Sequence, residues 1–275
     1  MHSVTRRAFV ASAGASLAGC GTTAPPVQSP AAACVAPGSG ATFILVHGSW
    51  VGAWTYQDLD RRLTARGHVV YRPALSGWGE RAHLARPEMN VDTNIEDVCA
   101  LIDLEELSDV VLVGHSYGGM VITGVADRMP DRIASIVYLD AFLPEDGMSI
   151  ADYAGEDWRA LCEGVLAQGE FLLPPPVFLL DPDAAATDEQ LAKSTPAPVR
   201  QQLQRIALTG AHQRVAKKAY VHATRDAQPY FREAYERASD RARADASWTT
   251  YAVPSGHLIY EEMPERTIEI LEASI

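Results

Sequence analysis

The sequence is poor in cysteine and contains no long apolar run. Only 4 of its 275 residues are Cys, and they form no Cys-x-x-Cys pair and no cluster with His. A small fold held together by disulfides is therefore excluded, and no metal site is expected. A transmembrane helix needs about 20 consecutive apolar residues, and no segment of the chain reaches that length. We expect no catalytic role for any of the cysteines, which are Cys20, Cys34, Cys99 and Cys162.

Positive charge is also scarce. The chain has 23 Lys and Arg against 35 Asp and Glu, so its formal net charge is −12. Binding of a phosphate backbone needs clustered Lys and Arg, and no basic stripe with interleaved aromatics is present, so nucleic acid is not an expected partner. A hydrophobic fraction of 47% with 21% charged residues is ordinary for a folded domain. The composition therefore excludes a disordered chain.

The N-terminus resembles a bacterial export signal. Arg6 and Arg7 form a twin-arginine pair, and a mildly apolar stretch rich in Ala, Gly and Ser follows them. Twin-arginine signals direct proteins across a bacterial membrane. The stretch ends in Leu17-Ala-Gly-Cys20, which resembles a lipobox, where cleavage leaves an N-terminal Cys that is lipidated. An ordinary cleaved signal and a mistaken start codon are the alternatives.

These features divide the chain into three predicted segments. Residues 1–19 form the signal peptide, and residues 20–40, rich in Ala, Pro, Gly, Ser and Thr, form a flexible tether. Residues 41–275 form the folded domain. The expected location is outside the cytoplasm, on a bacterial membrane, with the lipid anchor at Cys20 as the only membrane contact.

From residue 42 onward, short apolar runs alternate with segments of helical periodicity. Predicted strands cover residues 42–46, 68–71, 109–113, 133–139, 219–223 and 249–253. Predicted helices cover residues 54–66, 94–107, 117–129, 230–238 and 265–273. Such alternation is typical of an α/β protein with a mostly parallel sheet and helices on both faces.

The alternation is interrupted between residues 143 and 216. This segment contains no clear buried strand, and three consecutive prolines, residues 174–176, lie within it. A segment of roughly 70 residues is too long for a plain connection between neighbouring strands. We therefore predict a small, mainly helical cap over the carboxyl edge of the sheet.

The strongest motif is Gly114-His-Ser116-Tyr-Gly118, which satisfies Gly-x-Ser-x-Gly between a predicted strand and a predicted helix. The turn between the two elements forces the serine into a strained backbone conformation, and the flanking glycines avoid a steric collision there. The positive end of the following helix is directed at the site. The motif predicts Ser116 as a nucleophile.

A nucleophilic serine needs a general base, and hydrolases with this motif have the chain order Ser, acid, His. His257 follows a predicted strand, and Gly256 before it allows a sharp loop. His222 lies within a predicted strand and His212 lies in the predicted cap, where structural roles are expected. The sequence therefore predicts His257 as the base.

The acid that orients the base has two candidates. Asp226 comes directly after the predicted strand 219–223, one strand before His257, and is the preferred candidate. Asp140 ends the preceding predicted strand and is the alternative. A structural role for Asp140 at the entry to the cap is also open, since Asp often caps such chain segments.

An oxyanion hole needs two backbone N–H donors. Tyr117, directly after the nucleophile, should supply one, and Ser49, in the loop after the first strand, should supply the other. His47 in the same loop precedes the nucleophile, an order that this kind of triad does not use. We expect His47 to be a structural residue that holds the loop.

Several stretches resemble small bacterial esterases, which are similar to plant methylesterases and hydroxynitrile lyases. They are His-Gly-Ser-Trp-x-Gly-Ala-Trp (47–54), Leu-Ser-Gly-Trp-Gly-Glu-Arg-Ala-His-Leu (75–84), the Gly-x-Ser-x-Gly turn, Tyr-Leu-Asp-Ala-Phe-Leu-Pro (138–144) and Gly-His (256–257). The resemblance spans residues 42–275. It implies an α/β-hydrolase fold with a small helical lid and cleavage of carboxylic esters without a cofactor, and it supports Asp226 and His257 by position.

Two positions depart from the hydroxynitrile lyases. Those enzymes typically have a Thr where this chain has Gly48 and a Lys where it has Leu258. The Lys would stabilise departing cyanide, so its absence favours hydrolysis.

The predicted function is hydrolysis of small to medium, apolar carboxylic esters through an acyl-enzyme. Aromatic side chains are expected to line the pocket, with core packing as the alternative for each: Trp50, Trp78, Tyr117 and Phe142. Glu80 and Arg81 are expected to form an ion pair that fixes the loop beside the site, with a role in substrate binding as the alternative.

Other functions remain open on the same residues. A lactone, amide or thioester hydrolase or a hydroxynitrile lyase could use the same triad. A lipid-tethered binding protein without activity is a further alternative, which the intact set of Ser, Asp and His argues against. No motif indicates an oligomeric state.

Overall fold

The computed structural model describes residues 40–175, 191–225 and 231–275. The strands in these residues are β1 (Thr42–Val46), β2 (Val69–Tyr71), β3 (Val110–His115), β4 (Ile133–Leu139), β5 (Leu172–Leu173), β6 (Ala197–Pro198), β7 (Lys217–Ala223) and β8 (Trp248–Val253). Six of them form a parallel sheet in the order β2-β1-β3-β4-β7-β8.

The central strands are apolar along most of their length because both faces of the sheet are covered. All residues of β3 are buried. Leu112 packs into the hydrophobic cluster on one face, whereas Val111 and Val113 pack into the cluster on the other face. The predicted fold class, an α/β-hydrolase fold with helices on both faces of the sheet, is confirmed.

The helices form the outer layers. They are α1 (Gln57–Ala65), α2 (Val91–Leu104), α3 (Gly118–Arg128), α4 (Ile150–Ala154), α5 (Glu156–Ala167), α6 (Arg200–Leu203), α7 (Arg232–Ala244), α8 (Ile259–Glu262) and α9 (Pro264–Glu272). Apolar residues of α2, α3 and α7 belong to the same cluster as Leu112. Residues of α1 and α9 belong to the cluster on the opposite face.

Helix α2 begins earlier than the sequence pattern indicated. The Asn90 side chain accepts a hydrogen bond from the Thr93 N–H at 3.1 Å, and the Thr93 hydroxyl lies 3.4 Å from the Asn90 N–H. This reciprocal pair satisfies N–H groups that the first turn leaves without partners. The helix therefore begins at residue 91 rather than at residue 94.

The segment between β4 and β7 contains helices α4, α5 and α6 and the antiparallel pair β5 and β6. Ser149 begins α4 with a capping box to Asp152. Trp158 and Cys162 of α5 are buried in the cluster that also contains α3. Residues 176–190 lie outside the described residues, so one of the three prolines singled out in the sequence is not described.

Within the described ranges, no helix is long and apolar enough to cross a membrane. No group of His, Cys, Asp and Glu side chains that could hold a metal ion occurs there either. Cys99 and Cys162 are free and buried. Burial raises the pKa of the Cys99 thiol to about 11 and that of Cys162 to about 12, so both are unreactive at neutral pH.

Candidate active site

The carboxyl ends of the parallel strands meet at one edge of the sheet. Ser116 directly follows β3, Asp140 follows β4, and His257 lies in the loop after β8. In a parallel sheet this edge is where loops from different strands come together and ligands bind. The strand order therefore brings three chemically complementary side chains, far apart in sequence, to one place.

The Ser116 turn has the strained geometry that its motif predicts. Ser116 has a φ of 54°, in the left-handed region. A Cβ atom at Gly114 would lie 2.7 Å from the Gly118 carbonyl oxygen, and one at Gly118 would lie 2.4 Å from the Val46 oxygen. A Cβ atom at Gly119 would lie 2.0 Å from the Phe142 oxygen. The three glycines are therefore required by close packing around the nucleophile.

His257 is held by a carboxylate. Its Nδ1 atom lies 2.7 Å from Oδ2 of Asp140, and both residues are buried. The second oxygen of Asp140, Oδ1, lies 3.2 Å from Nδ1 of His222 and accepts the Ala223 N–H at 3.0 Å. Burial by itself would raise the pKa of Asp140, but hydrogen bonds from His222 and His257 outweigh it and hold that pKa below its usual value. Asp140 is therefore a carboxylate at neutral pH.

The geometry favours Asp140, the alternative from the sequence, over Asp226 as the acid. A triad acid must hydrogen-bond the base at Nδ1, and Asp140 occupies that position on His257. Asp226 lies outside the described residues. Both residues follow strands that are neighbours in the sheet, so chain order alone could not rank them.

The Ser116 hydroxyl contacts a residue that the sequence did not single out. Ser116 Oγ lies 3.2 Å from the hydroxyl oxygen of Tyr235 in α7. The Tyr235 ring also stacks on His257, with centroids 5.1 Å apart and planes 17° apart. Tyr235 belongs to a helix whose sequence has the pattern of an ordinary amphipathic surface helix, so no local signal could have revealed it.

Two further histidines are structural. Nε2–H of His115 donates to the His257 carbonyl oxygen at 3.0 Å. His47 donates from Nδ1 to the Gly48 oxygen at 2.8 Å and accepts the Leu75 N–H at Nε2 at 3.2 Å, as expected for a residue that holds the loop. Burial lowers the pKa of His47 to about 4 and that of His115 well below its usual value, so both are neutral.

The loop after β1 lies against the nucleophile. A Cβ atom at Gly48 would be 3.0 Å from Cβ of Ser116. In the described part of the chain, the N–H groups of Ser49 and Tyr117 have no hydrogen-bond acceptor. The Ser49 side chain accepts a 3.4 Å hydrogen bond from the buried Gln202 of α6. Both N–H groups are therefore open to an acceptor, and their role as an oxyanion hole stays a prediction.

The aromatic residues predicted for the pocket are mostly packed inside the protein. Trp78 and Tyr117 are fully buried, and both donate to Oδ1 of Asn94, at 3.2 Å and 2.8 Å. Phe142 is also buried, whereas Trp50 is partly exposed and has a φ of 62°. Core packing therefore accounts for Trp78 and Tyr117, and a pocket role for Trp50 and Phe142 stays a prediction.

The expected ion pair between Glu80 and Arg81 is wrong. Glu80 instead accepts the backbone N–H groups of Ala53 at 3.1 Å and Trp54 at 2.8 Å. Arg81 lies 3.5 Å from Asp97. The first N–H groups of a helical turn have no partner inside the turn, and here the Glu80 carboxylate accepts them. Such hydrogen bonds stabilise the loop more than an exposed ion pair would.

Comparison with known proteins identifies the class. Residues 43–270 match the Alpha/beta hydrolase family. The chain belongs to this family. The carbendazim hydrolyzing esterase of Nocardioides sp. (strain SG-4G) is 37% identical over 249 residues, which cover 85% of this chain and 99% of that protein. The predicted class, a carboxylic ester hydrolase, is confirmed.

Other relatives include both a hydrolase and a lyase. An extracellular alpha/beta-hydrolase from a Paenibacillus species, described as a structural and functional homologue of tobacco salicylic acid binding protein 2, superposes with a TM-score of 0.75 at 26% identity. That match covers 85% of this chain and 98% of the other. An alpha-hydroxynitrile lyase of Arabidopsis thaliana is 38% identical over 107 residues, 38% of this chain and 40% of that protein.

Proposed function

We propose that this chain hydrolyses carboxylic esters through an acyl-enzyme on Ser116, with His257 as the general base and Asp140 as the acid. The observation that supports this most directly is the 2.7 Å contact between Asp140 and Nδ1 of His257. It leaves Nε2 of His257 as the nitrogen that can take the serine proton. The strained Ser116 turn and the two flanking N–H groups complete the set of parts that acyl transfer needs.

Acylation begins when Ser116 turns its hydroxyl from Tyr235 to Nε2 of His257. The oxygen gives its proton to His257 and attacks the ester carbonyl, and the N–H groups of Ser49 and Tyr117 bind the oxyanion. Collapse of the tetrahedral intermediate breaks the bond to the leaving oxygen, which takes the proton from His257. Water then repeats the two proton transfers and releases the acid.

Hydrolysis suits this site better than cyanohydrin cleavage. A Cβ atom at Gly48 would lie 3.0 Å from both Ser116 Cβ and His115 Nδ1, so the loop has little room for the Thr that hydroxynitrile lyases typically have there. Leu258 offers no cation for a leaving cyanide. Both features support water as the second substrate.

The substrate class that we propose is a small to medium ester with an apolar or aromatic part. Aromatic rings surround the reacting groups: Tyr235 and Phe142 have centroids 5.1 Å apart, and Phe142 and Phe231 have centroids 5.5 Å apart. Flat apolar groups pack well on such side chains. Since a full-length relative is a carbendazim hydrolyzing esterase, carbendazim is a rational test substrate beside simple esters.

Active-site labelling tests the proposal. The wild type should react with a fluorophosphonate probe and hydrolyse p-nitrophenyl esters, and Ser116→Ala should do neither. Ser135→Ala is the matched control, since it removes another buried serine hydroxyl, on β4. Absence of labelling in the wild type would refute the enzyme function, and labelling of Ser116→Ala would refute this nucleophile.

We also propose export and lipidation at Cys20, supported by the twin arginines and the lipobox-like sequence before it. Expressed in bacteria with radioactive palmitate, the wild type and Cys34→Ala should be labelled and recovered with membranes. Cys20→Ala should be unlabelled. Label retained by Cys20→Ala would contradict the anchor.

A further inference from the structure

Tyr235 occupies a position in the site that no part of the Ser–His–Asp mechanism requires. It is the residue whose hydroxyl lies 3.2 Å from Ser116 Oγ, and it is 2% exposed. Its carbonyl oxygen lies 3.3 Å from the Tyr220 hydroxyl and shares the single hydrogen of that hydroxyl with the nearer Ala141 oxygen at 2.8 Å. The backbone of α7 at this point is therefore tied to the strand and loop that hold Asp140.

Burial keeps the Tyr235 hydroxyl protonated. Removal from water raises the pKa of this phenol far above its usual value and outweighs the lowering effect of the hydrogen bond with Ser116. At neutral pH the group is thus a neutral hydrogen-bond donor and acceptor. When Ser116 turns to His257 and attacks, Tyr235 loses this partner inside a buried site and needs another.

The surroundings of Ser116 indicate which partner this is. The carbon bonded to Oγ in the tetrahedral intermediate has three other substituents: the oxyanion, the acyl group and the leaving oxygen. The oxyanion points to the N–H groups of Ser49 and Tyr117, and the leaving oxygen must lie beside His257, which protonates it. Tyr235 stacks on that same imidazole, with ring centroids 5.1 Å apart. Its hydroxyl is therefore on the leaving-group side of Ser116.

We propose that Tyr235 is a further catalytic residue whose hydroxyl donates a hydrogen bond to the leaving alkoxy oxygen. As the carbon–oxygen bond breaks, the electron pair passes to the alkoxy oxygen, which takes its proton from Nε2 of His257. Tyr235 keeps its own proton and stabilises the charge that builds up before this transfer is complete. The inference rests on the proposed esterase function.

The two esters that test this role differ only in the leaving group. Methyl phenylacetate releases methoxide, a poor leaving group whose developing negative charge needs stabilisation. p-Nitrophenyl phenylacetate releases p-nitrophenolate, a good leaving group that needs little stabilisation. Tyr235→Phe keeps the ring on His257 and removes the hydroxyl. We expect kcat/KM to fall about 10- to 100-fold for the methyl ester, and to change far less for the p-nitrophenyl ester.

Tyr138→Phe is the matched control, because it removes a buried hydroxyl that lies 2.7 Å from Thr123 and outside the site. It should leave the ratio of the two kcat/KM values unchanged. If Tyr235→Phe does not fold, Tyr235→Met fills the position without a donor and should give the same change in ratio. An equal loss on both esters, or no loss, would overturn the role of Tyr235. A wild type that cleaves neither ester would refute the esterase function itself.

Discussion

At Asp140, two imidazole rings and one backbone N–H share a single carboxylate. His257 takes Oδ2, whereas His222 and the Ala223 N–H take Oδ1. With both oxygens engaged, the carboxylate cannot rotate without breaking a buried hydrogen bond. The ring of His257 is thereby held in the tautomer with the proton on Nδ1, which leaves Nε2 free for the role of base in the proposed mechanism.

Replacement of Asp140 by Asn should show this directly. Asn cannot stabilise a protonated His257 and can present its NH₂ group to Nδ1, which favours the wrong tautomer. We expect kcat to fall about 10³- to 10⁴-fold with little change in fold, measured with a p-nitrophenyl ester and checked by circular dichroism. Asp226→Asn should retain activity close to that of the wild type. Loss of activity in Asp226→Asn, with activity retained in Asp140→Asn, would identify Asp226 as the acid.

Single residues of the site differ in how far the sequence reveals them. Ser116 and His257 follow from a local motif and from chain order, because the turn needs glycines at fixed spacing. The choice between Asp140 and Asp226 depends on which carboxylate reaches Nδ1, a distance between residues 117 positions apart in the chain. Tyr235 was even less predictable, since it contacts Ser116 across 119 positions of the chain and lies in no motif.

Among the secondary-structure elements, the turn from β3 to α3 is packed tightly against the rest of the protein. The N–H groups of Gly119 and Phe142 both donate to the Ser116 carbonyl oxygen, at 3.0 Å and 3.1 Å. This brings the start of α3 so near the chain after β4 that a methyl group at Gly119 has no room. The shape of the nucleophile turn therefore depends on the segment that leads into the cap.

Gly119→Ala should accordingly destabilise the protein. Because the new Cβ would meet backbone rather than a flexible side chain, we expect the free energy of unfolding to fall by at least about 2 kcal/mol, with loss of esterase activity. Urea denaturation measures the first effect. Gly164→Ala in α5 is the control: its Cβ would meet nothing within 4 Å, so helix propensity should stabilise the fold by about 0.5–1 kcal/mol. Equal behaviour of the two variants would contradict this account.

Elements with a strong local pattern were predictable. Strands β1 and β4 have the predicted bounds, 42–46 and 133–139, because their apolar runs end at polar or turn residues. Helix α7 extends to Ala244, beyond the predicted end at residue 238, since buried Ala238 and Ala242 pack on the sheet and their small side chains give a weak apolar signal. The end of such a helix depends on the residues that it packs against, and these contacts cannot be read from a single sequence.

On the scale of the whole molecule, Asp127 joins the chain just before β7 to helix α3. This residue in the last turn of α3 accepts the Thr209 N–H at 2.7 Å, the Thr209 hydroxyl at 3.0 Å and the His212 N–H at 3.1 Å, and it lies 3.0 Å from Nδ1 of His212. Burial would raise the pKa of Asp127, but the hydrogen bonds from His212 and Thr209 outweigh it and hold the pKa well below its usual value.

A carboxyl group whose pKa is lower in the folded state stabilises the fold above its unfolded pKa, and this contribution is lost as the pH falls below that value. Asp127→Asn should therefore lower the free energy of unfolding by about 2 kcal/mol at pH 7. The difference from wild type should shrink below about pH 4. Urea titrations across this range measure it.

Asp131→Asn provides the comparison, because Asp131 pairs with Arg214 on the surface, where both side chains are mostly exposed. Its effect should be close to zero at every pH. If the free energy of unfolding of Asp127→Asn differs from that of the wild type by the same amount from pH 7 to pH 3, the charge of Asp127 is not the cause of its stabilising effect.

The position of Asp140 has a consequence for chimaeras in which the segment between β4 and β7 is exchanged with that of a related protein. Asp140 orients His257 and is also the first residue after β4, with a φ of 42° and its N–H bonded to the Val221 oxygen at 2.7 Å. Two residues later, the Phe142 N–H donates a hydrogen bond to the Ser116 carbonyl oxygen. In a chimaera with a related protein, the exchanged segment should therefore begin after Phe142. A graft that begins earlier would replace residues of the proposed catalytic site together with the segment between β4 and β7.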